Sequence, residues 1–220
     1  MKKPALSQIL PILITTYGDR PWRRRLEPAG ELVQTILSQN TSDANSGRAY
    51  DSLMKKFGTW DNIAKADISE ITDAIRSGGL ADAKARYIRS ALSALKAENH
   101  GFDLEFLRKY SVKEARAWLT RLPGVGMKTA SCVLLFSLGM PAFPVDTHVY
   151  RVARRLQLID NRLSVEEAHI ELERIVRAED VYRCHMLIIE HGRKTCRARY
   201  PLCNQCTLAA LCPSCNSTSR

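Results

Sequence analysis

The chain has 220 residues, of which 45% are hydrophobic and 25% charged, and a formal net charge of +10. That length admits one large domain or two small lobes, and the composition is that of a soluble globular protein with enough apolar material for a core. The basic excess points to a polyanionic partner, nucleic acid ahead of an acidic membrane surface.

Met1-Lys2-Lys3 opens like a secretory leader, but the apolar stretch behind it is short, is broken by Gln8 and Pro11, and has no small-residue cleavage site. Leu32, Val33, Ile36 and Leu37 recur at helical spacing, as do Tyr50, Leu53, Met54 and Phe57 ahead of Gly58. Asp67 starts a helix with Ile68, Ile71 and Ile75 on one side, stopped by Gly78-Gly79. Tyr87, Ile88, Ala91, Leu92 and Leu95 form the next apolar stripe. The helix carrying Trp118 is predicted to end at Leu122, and another to run from Ala130 through Leu138. The longest apolar run, Ser131 to Val145, is interrupted by Gly139, Pro141 and Pro144 and is too short to span a bilayer. Ser164 with Glu167 three residues on is a capping box ahead of Ile170, Leu172 and Ile175. Strand-like alternation is absent, so the chain reads as all-α, with about ten short helices of the usual length. A cytosolic location is expected, where disulfides are disfavoured, and the seven cysteines therefore need another role.

Cys196, Cys203, Cys206 and Cys212 are spaced C-x6-C-x2-C-x5-C. Four soft thiolates so close together, with almost no room for secondary structure between them, suit a compact metal centre. An iron–sulfur cube takes one thiolate at each corner, and irregular close spacing wraps the chain around it. The rival is zinc, because Cys203, Cys206, Cys212 and Cys215 form two C-x-x-C pairs. Zinc knuckles usually stand about 15–20 residues apart, which favours iron–sulfur. Cys132, among Val133, Leu134 and Leu135, and Cys184, near Leu187 and Ile188, read as buried, inert thiols. The same tail carries a basic cluster of Arg183, Arg193, Lys194, Arg197 and Arg199.

Leu122-Pro123-Gly124-Val125-Gly126-Met127-Lys128-Thr129 is a second signal. Two glycines permit a tight turn between helices and leave backbone N–H groups uncovered, an anion site suited to a DNA phosphate. The bland alternative is an ordinary αα-turn. A nucleotide-binding P-loop is excluded, since it needs a preceding strand and four residues between its glycines. Lys128 falls in the first turn of the following helix, where the positive helix end disfavours added positive charge. A neutral lysine amine is a nucleophile that forms Schiff bases, while a charged one would contact phosphate. After Pro144, Asp146 reads as the N-cap of the helix holding Val149, Val152 and Leu156. An amine and a carboxylate at one site match the needs of glycosidic cleavage, where positive charge develops on the sugar. His148 reads as structural.

These residues carry a family resemblance. The hairpin from Leu122 to Ala130, the Val145-Asp146-Thr147-His148 segment, and His191-Gly192-Arg193 leading into the four cysteines are similar, in this order, to the endonuclease III-like DNA glycosylases of the helix-hairpin-helix–GPD superfamily. The similarity runs from about Leu32 to Cys212. It implies an all-α, two-lobed helix-hairpin-helix glycosylase fold with an iron–sulfur cluster loop. Residues 21–139 would form a six-helix barrel, and residues 1–20 with 140–220 the cluster lobe. The active site would lie in the cleft between them. The resemblance implies a bifunctional DNA N-glycosylase and abasic-site (AP) lyase that acts as a monomer, without a membrane, on double-stranded DNA containing base lesions or AP sites. Oxidised pyrimidines are the expected lesions, and a cytoplasmic, in a prokaryote nucleoid-associated, location is implied. A flipped-out nucleotide would meet Lys128 as nucleophile and Asp146 as activator and charge stabiliser. Cys196, Cys203, Cys206 and Cys212 would hold a 4Fe–4S cluster. Gln39, Asn40, the hairpin residues Leu122, Gly124, Val125 and Gly126, and Arg197 and Arg199 of the cluster loop would contact DNA.

The chain departs from the family pattern in two places. Endonuclease III proper resembles Leu-Ser-Ala-Gln-Ala-Thr-Asp where this chain reads Leu37-Ser38-Gln39-Asn40-Thr41-Ser42-Asp43. Thr120 stands where a carboxylate is common. Both touch lesion reading rather than bond cleavage. The alternatives are a monofunctional mismatch-specific glycosylase of the same fold, which typically lacks the lysine, and a non-enzymatic DNA-binding or redox-sensing module.

Overall fold

The computed structural model describes residues 4–98 and 100–217, with side chains as far as Cys215, so that Met1, Lys2 and Lys3 of the leader-like opening lie outside the described residues. Among the described residues there are twelve α-helices, several single turns of 3-10 helix and no strand. They fall into two compact units, one made by residues 24–140 and the other by the stretch before residue 24 together with everything after residue 140.

The unit of residues 24–140 contains α2 (Pro28–Leu37), α3 (Asp43–Phe57), α4 (Trp60–Lys65), α5 (Ile68–Ala74), α6 (Ala81–Ala97), α7 (Val112–Leu119) and α8 (Met127–Phe136). Helix α2 begins where Pro28 follows Glu27, whose carboxylate accepts the Gly30 amide at 2.8 Å and the Ala29 amide at 3.0 Å. Every residue of α8 from Thr129 to Phe136 is buried. A helix that is apolar nearly all round belongs in a core, and α8 packs against both α2 and α7. Its glutamate neighbour on α2, Glu31, is fully buried but not isolated: Arg25 pairs with it, and Thr35 donates to it at 3.0 Å.

The second unit holds α1 (Leu6–Tyr17), α9 (Thr147–Arg155), α10 (Val165–Ile175), α11 (Val181–Lys194) and α12 (Pro213–Ser217). Helix α11 packs on both α1 and α9. Gly192 lets α9 come close: a Cβ there would stand 3.0 Å from His148 Cβ and 3.2 Å from Val152 Cγ2. No helix among the described residues is long and apolar enough to cross a membrane.

Several boundaries and faces differ from the sequence expectation. Helix α7 stops at Leu119, and Leu122 lies in the turn beyond it, buried; α8 starts at Met127, three residues before the predicted Ala130. The buried face of α3 is Ser46, Ala49 and Leu53 rather than Tyr50, Leu53, Met54 and Phe57. Small residues on that face allow close approach by Gly78, where an added Cβ would stand 3.1 Å from Ala49 Cβ. On α10, Ile170 is exposed and His169 is buried, because the His169 ring donates through Nδ1 to the Phe143 carbonyl at 2.8 Å.

Candidate active site and cysteine cavity

The chain leaves α7 in a cascade of tight turns, with Leu122 N–H donating to Leu119 O at 3.1 Å and Val125 N–H to Leu122 O at 3.1 Å. Leu122 and Val125 bury their side chains and anchor the turn, while Gly124 takes φ 77°. The C-cap of α7 is Thr120, whose hydroxyl donates to Ala117 O at 3.1 Å. Gly126 caps α8 and supplies no side-chain acceptor. The first-turn N–H groups of a helix have no intrahelical carbonyl, so those at Met127 and beyond keep their donors for an anion from outside.

Lys128 is the second residue of α8 and is half-buried. One turn further on, Cys132 is buried, with its thiol beside the Lys128 side chain. Burial pushes the Cys132 thiol up, and the charge of Lys128 opposes it. This contact was within reach of the sequence, because positions i and i+4 share a helix face.

Asp146 belongs to the other unit. It caps α9, with Oδ1 accepting the Val149 amide at 2.7 Å. The extended run before it is buried from Ala142 to Val145, and Glu173 accepts the Phe143 amide at 2.7 Å, so the carboxylate stands at the end of a pinned strand of chain. His148 Nδ1 lies 3.1 Å from the Arg151 guanidinium. Gln39 and Asn40 form the turn after α2; Asn40 is exposed and takes φ 52°.

Cys196, Cys203, Cys206 and Cys212 surround one cavity of about 190 Å³, and Cys215 joins them. Cys215 is in hydrogen-bond contact with Cys203. Among the described residues no three His, Cys, Asp or Glu side chains converge as the ligands of a single metal ion. A tetrahedral zinc would draw its thiolates to one point at about 2.3 Å. A donor set of thiolates spread around a cavity suits a polynuclear iron–sulfur group, which takes each sulfur at a different corner.

Nitrogen donors approach the sulfurs as well. The Arg155 guanidinium lies 3.4 Å from Cys196 Sγ and also donates to the carbonyls of Arg197 at 2.6 Å and Ala198 at 3.1 Å. Arg151 donates to the Cys196 carbonyl at 3.0 Å. Two arginines of the helix that Asp146 caps thus hold the start of the loop bearing the exposed Arg197 and Arg199. His191 Nε2 stands 3.8 Å from Cys206 Sγ, and Nδ1 is 3.0 Å from the Tyr17 hydroxyl. Burial pulls His191 down to about 4, so the ring is neutral near pH 7. Of the other basic residues in this tail, Arg183 pairs with Asp19 and Asp180, and Lys194 with Glu190.

A lysine opening a core helix behind a bare-amide hairpin, in an all-α chain with a ring of thiols, defines a helix-hairpin-helix protein built to handle a polyanion. The chain belongs to the HhH-GPD superfamily of base excision DNA repair proteins, whose family profile matches residues 33–178, and within it the likeness is to endonuclease III. Endonuclease III of Sulfolobus acidocaldarius is 36% identical over 183 residues, covering 82% of this chain and 79% of that one. An Arabidopsis thaliana protein named as a DNA glycosylase is 40% identical over 162 residues, 74% of this chain; it is longer, and the match spans 55% of its length. Among solved structures, a trapped covalent endonuclease III–DNA intermediate superposes with a TM-score of 0.83 at 31% identity, covering 100% of both chains.

Proposed function

We propose that this protein removes damaged bases, oxidised pyrimidines foremost, from duplex DNA and then nicks the resulting abasic site by β-elimination. It is a DNA glycosylase and AP lyase of the endonuclease III kind. The observation that carries the residue assignment is the position of Lys128, half-buried in the first turn of α8 among the N–H groups that Gly126 leaves without a side-chain acceptor. A phosphate docked on those amides would bring a flipped-out nucleotide near the amine.

Lys128, in its neutral form, attacks C1′ of the damaged nucleotide and the base leaves with its bonding electrons. The amine loses a proton, the sugar ring opens, and the resulting Schiff base acidifies the C2′ hydrogens. Loss of one such proton expels the 3′ phosphate, and water then releases Lys128. Asp146 is assigned the complementary role: a negative charge that favours the sugar cation developing as the base departs, and a second carboxylate oxygen able to accept a proton. Oδ1 remains engaged with Val149. Gln39 and Asn40 contact the DNA from the turn after α2, and Arg197 and Arg199 contact phosphates from the loop.

Cys196, Cys203, Cys206 and Cys212 would hold a 4Fe–4S cluster. When bound, such a cluster cross-links its loop through four iron–sulfur bonds and carries one-electron redox capacity. Arg155 and Arg151 tie that loop to α9 independently of the cluster.

The deciding experiment is borohydride trapping. Incubated with duplex DNA containing an oxidised pyrimidine, and in parallel with an AP-site duplex, and reduced with borohydride, the protein yields a covalent adduct on both. No adduct, with base release intact, would mean the monofunctional reaction through activated water; neither adduct nor base release would reduce the chain to a DNA-binding module.

A further inference from the structure

Lys84 lies in the first turn of α6 with 2% of its surface exposed. Its ammonium donates to two backbone carbonyls, Leu37 O at 2.7 Å and Gly78 O at 2.8 Å. Burying a charge against neutral acceptors is costly, and burial alone pulls Lys84 below its ordinary range. A methionine would fill the same volume without that cost. What the amine adds is a tie between two chain ends. Leu37 is the last residue of α2, and Gly78 ends the 3-10 turn Arg76–Gly78. A cation at helical C-terminal carbonyls is favourable for both.

Each tied carbonyl is followed within three residues by a non-glycine residue in the left-handed region. After Leu37 comes the turn containing Gln39 and Asn40, with Asn40 at φ 52°; after Gly78 come Gly79 at φ 68° and Leu80 at φ 51°. Left-handed backbone at a non-glycine residue persists only where its surroundings over-determine it. Asn40 and Leu80 are both exposed, so their own side chains do little of that work. We infer that Lys84 is a positioning residue for lesion reading: it pins the Leu37 and Gly78 carbonyls so that the turn presenting Gln39 and Asn40 meets DNA in a single arrangement. This rests on the reading that Gln39 and Asn40 contact DNA.

A double-mutant cycle separates this role from a contribution to folding alone. The variants are Lys84→Met, Gln39→Ala with Asn40→Ala, and all three changes together. The probe is a duplex with a tetrahydrofuran abasic analogue, which resists β-elimination, against an undamaged duplex as control. Lys84→Met should weaken binding to the analogue about tenfold, the size of a coupled contact, and leave the undamaged duplex unaffected. The triple variant should bind no worse than Gln39→Ala with Asn40→Ala. Losses that multiply, or a Lys84→Met protein that binds the analogue normally, overturn the pin while leaving the loop's DNA contact intact. Normal binding by Gln39→Ala with Asn40→Ala overturns the contact reading, and the pin with it. If Lys84→Met does not fold, Lys84→Arg, which keeps a charged donor, replaces it in the same cycle, with a smaller loss and the same absence of multiplication expected.

Discussion

The ring of Tyr87 lies directly against the backbone of Gly124: a Cβ built on the glycine would stand 2.6 Å from Tyr87 Cγ and 2.7 Å from Tyr87 Cβ. Gly124 is therefore required twice, by its φ of 77° and by this contact. Gly124→Ala should destabilise the protein by about 1–2 kcal/mol from the backbone alone, with the clash in addition. Adding Tyr87→Ala should recover the steric part and leave the backbone part. Thermal melts of the three proteins measure both; equal melting temperatures for wild type and Gly124→Ala would mean that the hairpin rearranges freely.

The two residues proposed to act on the sugar should fail differently. Lys128→Gln cannot form an imine, so strand nicking and borohydride trapping should vanish while binding to lesion DNA largely survives. Asp146→Asn keeps an oxygen to accept the Val149 amide, and asparagine caps helices about as well as aspartate. Folding should be little disturbed, but base excision should slow by about two to three orders of magnitude. On a pre-formed AP site, where no base leaves, the same variant should keep more of its activity. Single-turnover assays on lesion and AP duplexes distinguish these outcomes; normal base excision by Asp146→Asn would leave that residue only its capping role.

The cysteine cavity predicts a coloured protein. Purified without oxygen, it should be yellow-brown, with about four irons and four sulfides per chain. Cys203→Ser should be colourless and poorly soluble, whereas Cys215→Ser should keep its colour even though Cys215 touches Cys203. Metal analysis that finds stoichiometric zinc and no iron would refute the cluster.

With the exposed Arg197 and Arg199 and the hairpin amides proposed as phosphate contacts, binding should depend steeply on salt. Replacing both arginines by alanine should reduce the log–log salt slope by about 1–2 units. An unchanged slope would remove that loop from the interface.

The cap of the helix that leads into the hairpin sets a pH dependence. Ser111 donates to the Glu114 carboxylate through its hydroxyl at 2.6 Å and its amide at 2.9 Å, which holds Glu114 below its ordinary 4.5. A depressed carboxylate contributes stability that is complete above its unfolded value and is lost as pH falls through the lower, folded value. The melting-temperature gap between wild type and Glu114→Gln should therefore be present at neutral pH and close in acid, as the pH falls below the ordinary carboxylate value of 4.5 and through the lower folded one. A gap that persists in acid would show that shape rather than charge matters at this cap.

Helical spacing and local signals were enough to read the all-α architecture, because a helix is made by residues three and four apart. The capping box at Ser164, the cap at Asp146 and the place of Lys128 in the first turn of α8 all depend on neighbours within one turn. The same is true of the hairpin, whose glycines announce the turn. Where the sequence reading slipped, on α3 and at Ile170, periodicity showed that a face existed but not which face the rest of the fold would cover.

Tertiary structure alone decided the contacts that join distant stretches. Tyr87 and Gly124 are brought together by packing of separate helices, as are Lys84 and the Leu37 carbonyl. Arg155 reaches the loop behind Cys196, Tyr17 reaches His191, and Cys215 turns towards the thiols its spacing left in competition for a ligand role. None of these pairs has a local signature. Each depends on closing a long loop of chain, which only the burial of a whole core can offset, so the sequence determines them through the fold and not through any motif.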